Sequence, residues 1–211
     1  MHLLLTLALA AAPPRYVALG DSFTIGTGSR PEQAFPARLA ARWSCPVTVA
    51  NPARNGFTTQ DLLDHELTEL TGASLITLAI GANDIVRGAS DDAYRRQIGR
   101  IYDALAAAGV PAGRVWAIPQ PDWSRSPVAA AFGDPAALHT RIDTFNTILR
   151  EVSTARGARW VDLTPLLAQQ AERGMIAGDG LHPSAEAYDA WAAALAKELP
   201  DPCAPREARG G

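Results

Sequence analysis

Lysine is almost missing from these 211 residues: Lys197 stands alone, and arginine carries the rest of the positive charge. The balance is a net charge of −3 and a pI near 5.8. Such a chain has no basic excess for a phosphate backbone, which argues against a nucleic-acid partner. Cysteine is limited to Cys45 and Cys203, with no CxxC pair or Cys/His cluster. The four histidines, His2, His65, His139 and His182, share no metal-ligand spacing, so no metal site is expected. Long apolar runs are also lacking. Residues 1–12, MHLLLTLALAAA, are too short to cross a bilayer as a helix, and stable membrane insertion is not expected.

That first segment has the length of a signal-peptide core and ends in small residues, with cleavage conceivable after Ala10 or Ala12. It lacks Lys and Arg, and His2 is its one basic residue. The expectation is a secreted or periplasmic protein, or a cytoplasmic one if residues 1–12 are not a signal. An oxidising compartment would allow Cys45 and Cys203 to pair; the sequence leaves that open.

What is present is an ordinary globular mix, 47% hydrophobic and 19% charged, long enough for one domain with a sizeable core. Short apolar runs alternate with helical patterns. Residues 15–20, 47–50, 74–80, 114–118 and 158–162 read as strands. Residues 31–43, 59–70, 91–108, 135–156 and 184–199 read as helices, with Thr58 or Thr59 and Asp91 or Asp92 as caps. Residues 119–134 carry three prolines and form a loop, and residues 163–178 a helical turn or two with a loop. Beyond Pro200 no apolar period remains, so residues 201–211 read as a disordered tail. The alternation implies an α/β fold, a parallel sheet with helices on both faces.

Ligands of such folds bind beyond the carboxyl ends of the strands. Ser22 follows the first strand, in Gly20-Asp21-Ser22-Phe23-Thr24. Gly56 follows the second and offers a bare backbone N–H. Asn83 follows the third, in Gly81-Ala82-Asn83-Asp84, and its amide can donate into the same crevice. Asp179 and His182 lie three apart before the last helix, so the carboxylate can fold back onto the ring. A serine hydroxyl becomes a competent nucleophile when such an oriented imidazole stands beside it. The N–H groups of Ser22 and Gly56 and the amide of Asn83 then read as an oxyanion hole. Asp162, after the fifth strand, is a rival for the orienting carboxylate. His65 reads as solvated, and no partner is evident for His139. Trp123 follows the fourth strand and reads either as a wall of the substrate pocket or as a loop anchor.

Gly20-Asp21-Ser22-Phe23-Thr24, Gly56, Gly81-Ala82-Asn83-Asp84 and Asp179-Gly180-Leu181-His182-Pro183 resemble the four ordered blocks of the SGNH hydrolase superfamily, the GDSL esterases and lipases. Phe23 departs from the family's usual Leu. The resemblance spans nearly the whole domain, residues 15–200. It implies a flavodoxin-like three-layer sandwich with strand order 2-1-3-4-5, and hydrolysis of a small-molecule carboxylic ester through an acyl-enzyme without a cofactor. It implies a triad of Ser22, Asp179 and His182, with Asp21 and Asp84 as structural residues that hold loops. The absence of a long lid favours short or acetyl groups. Two other readings stand beside it. An acyltransferase would share the same blocks. A nucleotide or flavin binder would use the Ser/Thr/Gly-rich stretch 22–29 as a phosphate cradle, but it lacks a Walker pattern and leaves Asp179 and His182 unexplained.

Overall fold

The computed structural model describes residues 12–204, so nearly all of the signal-like segment lies outside the described residues. Strands β1 (Arg15–Gly20), β2 (Thr48–Ala50), β3 (Ala73–Ala79), β4 (Val115–Ala117) and β5 (Arg159–Trp160) form one sheet in the order β2-β1-β3-β4-β5. Every pairing is parallel. The central strands are covered on both faces, which is why Tyr16 to Leu19 and Leu75 to Leu78 read as nearly unbroken apolar runs.

The helices are α1 (Ser22–Ile25), α2 (Phe35–Ala40), α3 (Thr59–His65), α4 (Ala82–Val86), α5 (Asp91–Ala107), α6 (Pro135–Ala155), α7 (Thr164–Glu172) and α8 (Ala185–Glu198). α2 packs on α8, while α5 lies between α3 and α6. The two groups sit on opposite faces, because strand order reverses after β2 and right-handed crossovers then switch sides. Leu39, Leu62, Ile98, Phe145, Leu149 and Trp191 close one continuous core around the sheet.

Several boundaries differ from the sequence reading, each for a local reason. The expected helix 31–43 is a 3₁₀ turn, Pro31–Gln33, followed by α2. Pro36 has no N–H to continue a helix from before it, so the chain restarts with Pro36 in a new first turn. The expected helix 59–70 ends at His65 and tightens into a 3₁₀ turn at Leu67–Leu70. Thr58 caps α3, with Asp61 completing a reciprocal capping box. Ser90, not an aspartate, caps α5. Residues 201–204, assigned to a disordered tail, are held in place. Cys203 forms a disulfide with Cys45, and Asp201 Oδ2 accepts the Ser44 N–H at 3.0 Å. A covalent tie fixes a polar segment that has no apolar stripe of its own. Among the described residues, no helix is long and apolar enough to cross a membrane.

Candidate active site

The sheet reverses its strand order between β1 and β3, the place where folds of this kind carry their ligand sites. Gly20 closes β1 where nothing larger fits: a Cβ there would meet Thr24 Oγ1 at 2.2 Å and the Ala79 carbonyl at 2.3 Å. The chain then turns directly into α1. Asp21 caps this helix, its Oδ1 accepting the Phe23 N–H at 3.0 Å. Ser22, the first helical residue, has an N–H with no protein acceptor among the described residues, as the first N–H of a helix must. The residue itself is only 8% exposed.

Asp179 and His182 come from the loop between α7 and α8. A bridge between Ile176 and Pro183 closes that loop, with Ala177 N–H donating to the His182 carbonyl at 2.7 Å. Asp179 Oδ1 accepts the N–H groups of Leu181 and His182 at 2.9 and 3.0 Å, and its Oδ2 meets His182 Nδ1 at 2.7 Å. Burial works against the ionised Asp179 carboxyl. The two N–H bonds and the His182 ring outweigh it and hold the group below the usual carboxylate range. His182 Nε2 lies 2.8 Å from Ser22 Oγ. Phe23 tilts against the ring, centroid to centroid 5.2 Å. The residue that departs from the family's usual Leu therefore steadies the histidine.

The segment 51–58 is tied to α1 and the residues after it, with Asn51 Nδ2 donating to the Thr24 carbonyl at 3.0 Å. Gly56 stands at φ +81°, a conformation that favours glycine, and a Cβ there would meet nothing within 4 Å. Its N–H has no protein acceptor among the described residues. Side chains hold the segment on both sides. Thr27 Oγ1 donates to Asn55 Oδ1 at 2.5 Å, Arg87 Nη2 to the Gly56 carbonyl at 3.0 Å, and Asn83 Nδ2 to the Phe57 carbonyl at 2.9 Å. That last bond uses one of the two Asn83 amide hydrogens and leaves the other for a ligand. Asp84 clips α4 to α3, accepting the Thr59 N–H at 2.9 Å and the Thr59 hydroxyl at 2.5 Å. Burial pushes its carboxyl up. Asp21 and Asp84 thus hold backbone, as the sequence reading expects of them.

Hydrogen bonds join Asp179, His182 and Ser22 in one line, and tie Asn83 to the segment that carries Gly56. Asp162 is not in that line; its Oδ1 accepts the Thr164 N–H at 2.9 Å. Trp123 is buried, meets Phe132 edge-on, and lines a cavity of about 40 Å3 with Leu181, Pro183 and Trp191. Neither Ser22 nor His182 lines that cavity. His139, for which the sequence offers no partner, has two: its Nδ1 lies 2.9 Å from Asp122 Oδ2 and its Nε2 3.5 Å from Asp143 Oδ2. His65 is exposed and stands near the Phe57 ring. The stretch 22–29 holds a helix of four residues, and its Ser22 hydroxyl is engaged with His182.

The sequence reading missed Arg87 and Glu66. Arg87 gave no signal, because an exposed arginine at the end of a short helix is unremarkable until its target carbonyl is known. Glu66 did give one. It falls between Leu62 and Leu70 at intervals of four, on the inward stripe of its helix.

A family model described as the GDSL-like lipase/acylhydrolase family matches residues 18–190. No curated protein matches the sequence. Among solved structures, a lipase/acylhydrolase from Enterococcus faecalis is similar at 23% identity, covering 88% of this chain and 94% of its own, with a TM-score of 0.69. An extracellular lipase from Streptomyces rimosus is similar at 21% identity, covering 88% and 100%, with a TM-score of 0.67. An acetyl xylan esterase from Geobacillus stearothermophilus is similar at 16% identity, covering 89% and 95%, also with a TM-score of 0.67.

Proposed function

The chain belongs to the GDSL-like lipase/acylhydrolase family, a group with lipase- and esterase-type activity, and from that premise we propose that it is a serine esterase working through an acyl-enzyme on short-chain or acetyl esters. The observation that carries this reading is the unbroken hydrogen-bonded line from Asp179 through His182 to Ser22, at 2.7 and 2.8 Å. Ser22 Oγ attacks the ester carbonyl carbon as His182 Nε2 takes its proton. Asp179 holds the ring by Nδ1–H and stabilises the imidazolium. The developing oxyanion accepts from the N–H groups of Ser22 and Gly56 and from the remaining Asn83 amide hydrogen. Collapse expels the alcohol, which leaves with the proton from His182. A water, deprotonated by His182, then attacks the acyl-Ser22 carbonyl and releases the acid. No step requires a cofactor.

The preference for small acyl groups is supported by the surface. Among the described residues, Val86 and Phe132 are the exposed large hydrophobic side chains. That is little apolar area to receive a long chain. Secretion is supported by the Cys45–Cys203 disulfide, a bond that persists in oxidising compartments, and by the signal-like composition of residues 1–12.

A fluorophosphonate probe, followed by mass mapping, tests the core of this reading. Stoichiometric label on Ser22 that vanishes in His182→Ala supports an activated serine. A folded protein that stays unlabelled, or carries the label elsewhere, overturns it. Comparison of acetate, butyrate and decanoate esters of p-nitrophenol tests the chain-length preference, which fails if decanoate has the highest kcat/KM.

A further inference from the structure

The turn that presents Ser22 rests on two buried carboxyl groups that the proposed chemistry does not use. Strand β2 stops pairing with β1 at Val17, three residues before Gly20. The buried Gly20 N–H finds its acceptor elsewhere: it donates to Glu66 Oε2 at 2.9 Å. Glu66 stands between α3 and the following 3₁₀ turn and is 0% exposed. Its second oxygen, Oε1, has no partner. Asp21, the next residue of the turn, is 1% exposed; its Oδ1 caps α1 and its Oδ2 has no partner either.

An ionised carboxylate with a bare oxygen in a protein interior is strongly disfavoured. Two of them beside one turn compound the cost. A proton removes the buried charge, which is the larger part of that cost. Asp21 also faces Asp84 of α4, a further acidic group, and the Tyr188 hydroxyl of α8, which donates to the Thr27 carbonyl; the cations are engaged elsewhere. Arg15, at the far end of β1, binds Glu69; Arg100 of α5 binds Gln60 and Gln97; the Tyr94 hydroxyl donates to the Ile80 carbonyl. No cation neutralises Glu66 among the described residues.

We propose that Glu66 is a positioning residue for the nucleophile: in its neutral, protonated form it holds the Gly20 N–H and thereby fixes the backbone that aims Ser22 Oγ and the Ser22 N–H. This rests on the reading of Ser22 as the nucleophile. Burial agrees with it, pushing the Glu66 carboxyl up to about 8, with the Asp21 charge adding to the rise, and the Asp21 carboxyl up to about 7, with the Asp84 charge adding. As pH climbs through that range, negative charge accumulates beneath the turn. It strains the Gly20–Ser22 segment, and it opposes the negative charge that forms on the oxyanion.

The rate of Ser22 labelling by a fluorophosphonate, followed from pH 6 to 10, isolates the nucleophile without a known substrate. The wild-type rate is expected to fall on the alkaline side as Glu66 ionises. Glu66→Gln keeps the volume and the acceptor for Gly20 and cannot ionise. It should label at pH 7 within about 3-fold of wild type and lose the alkaline fall assigned to Glu66. Glu66→Leu removes the acceptor and should label roughly 10-fold or more slowly across the range, with its fold checked by circular dichroism. Wild-type labelling speed in Glu66→Leu overturns the proposal, as does an unchanged alkaline fall in Glu66→Gln. If the wild type itself fails to label, it is the assignment of Ser22 that falls.

Discussion

Two places in this molecule hold a serine, an aspartate and a histidine within hydrogen-bond reach, and they are wired differently. In one, Asp179 binds His182 Nδ1 and His182 Nε2 binds Ser22. In the other, Asp122 sits at the centre: it accepts from the Ser124 hydroxyl on one oxygen and meets His139 Nδ1 on the other, while Arg125 also reaches it. The far nitrogen of His139 turns to Asp143, not to a hydroxyl. Residue types alone therefore do not make a hydrolytic centre. The order of the bonds does, because a base must touch the nucleophile with one nitrogen and its orienter with the other. Setting also separates the two. Ser22 stands at a helix start, whereas the Asp122 cluster pins the loop after β4 to the first turns of α6.

The sharpest way to break this comparison is to remove each histidine. His182→Ala should lower esterase kcat by roughly 10⁴-fold or more, and His139→Ala should leave it within about 3-fold, costing at most about 1 kcal/mol of stability as the loss of an exposed polar contact does. Comparable losses from both would mean that the Asp122 cluster takes part in the chemistry. Next, Asp179→Asn should reduce kcat by about 10²- to 10⁴-fold by disturbing the ring's tautomer, while Asp122→Asn should not; steady-state kinetics of the pair checks this. If Asp162→Asn had the larger effect, Asp179 would not be the orienter. Asn83→Ala should cost about 10²- to 10³-fold in kcat with little change in KM. An effect confined to KM would assign Asn83 to substrate binding instead.

The smallest expected difference is thermodynamic and concerns Glu66. Its ordinary value of 4.5 rises to about 8 on folding, so the folded state binds the proton more tightly than the unfolded chain. Stability is then fully kept below about pH 4.5 and declines as pH rises toward 8. Glu66→Gln removes that dependence, so its Tm relative to wild type should increase between pH 5 and pH 8. A Tm difference independent of pH would mean that Glu66 is ionised in the fold throughout.

Much of this was legible in the chain. Alternating apolar runs and helical stripes gave the parallel sheet, since strands buried on both faces have few polar positions to offer. The four blocks marked Ser22, Gly56, Asn83, Asp179 and His182, because chemistry at strand ends needs particular residue types at particular turns. Helix lengths were less legible around Pro36 and Glu66, where one missing N–H or one inward carboxyl ended a pattern that periodicity alone extends.

By itself, then, the sequence determined the fold class, which is written in local spacing, and it singled out Ser22, Asp179 and His182, which hydrogen bonds join. The tertiary structure decided what spacing cannot carry. It joined Cys45 to Cys203 across 158 residues, sent Asp162 to the N-terminus of α7, gave His139 two acidic partners, and set Glu66 against the Gly20 N–H. Each of these is a contact between segments far apart in the chain or a choice among equally near partners. Such contacts depend on how the sheet and helices stack, and no local pattern encodes that distance.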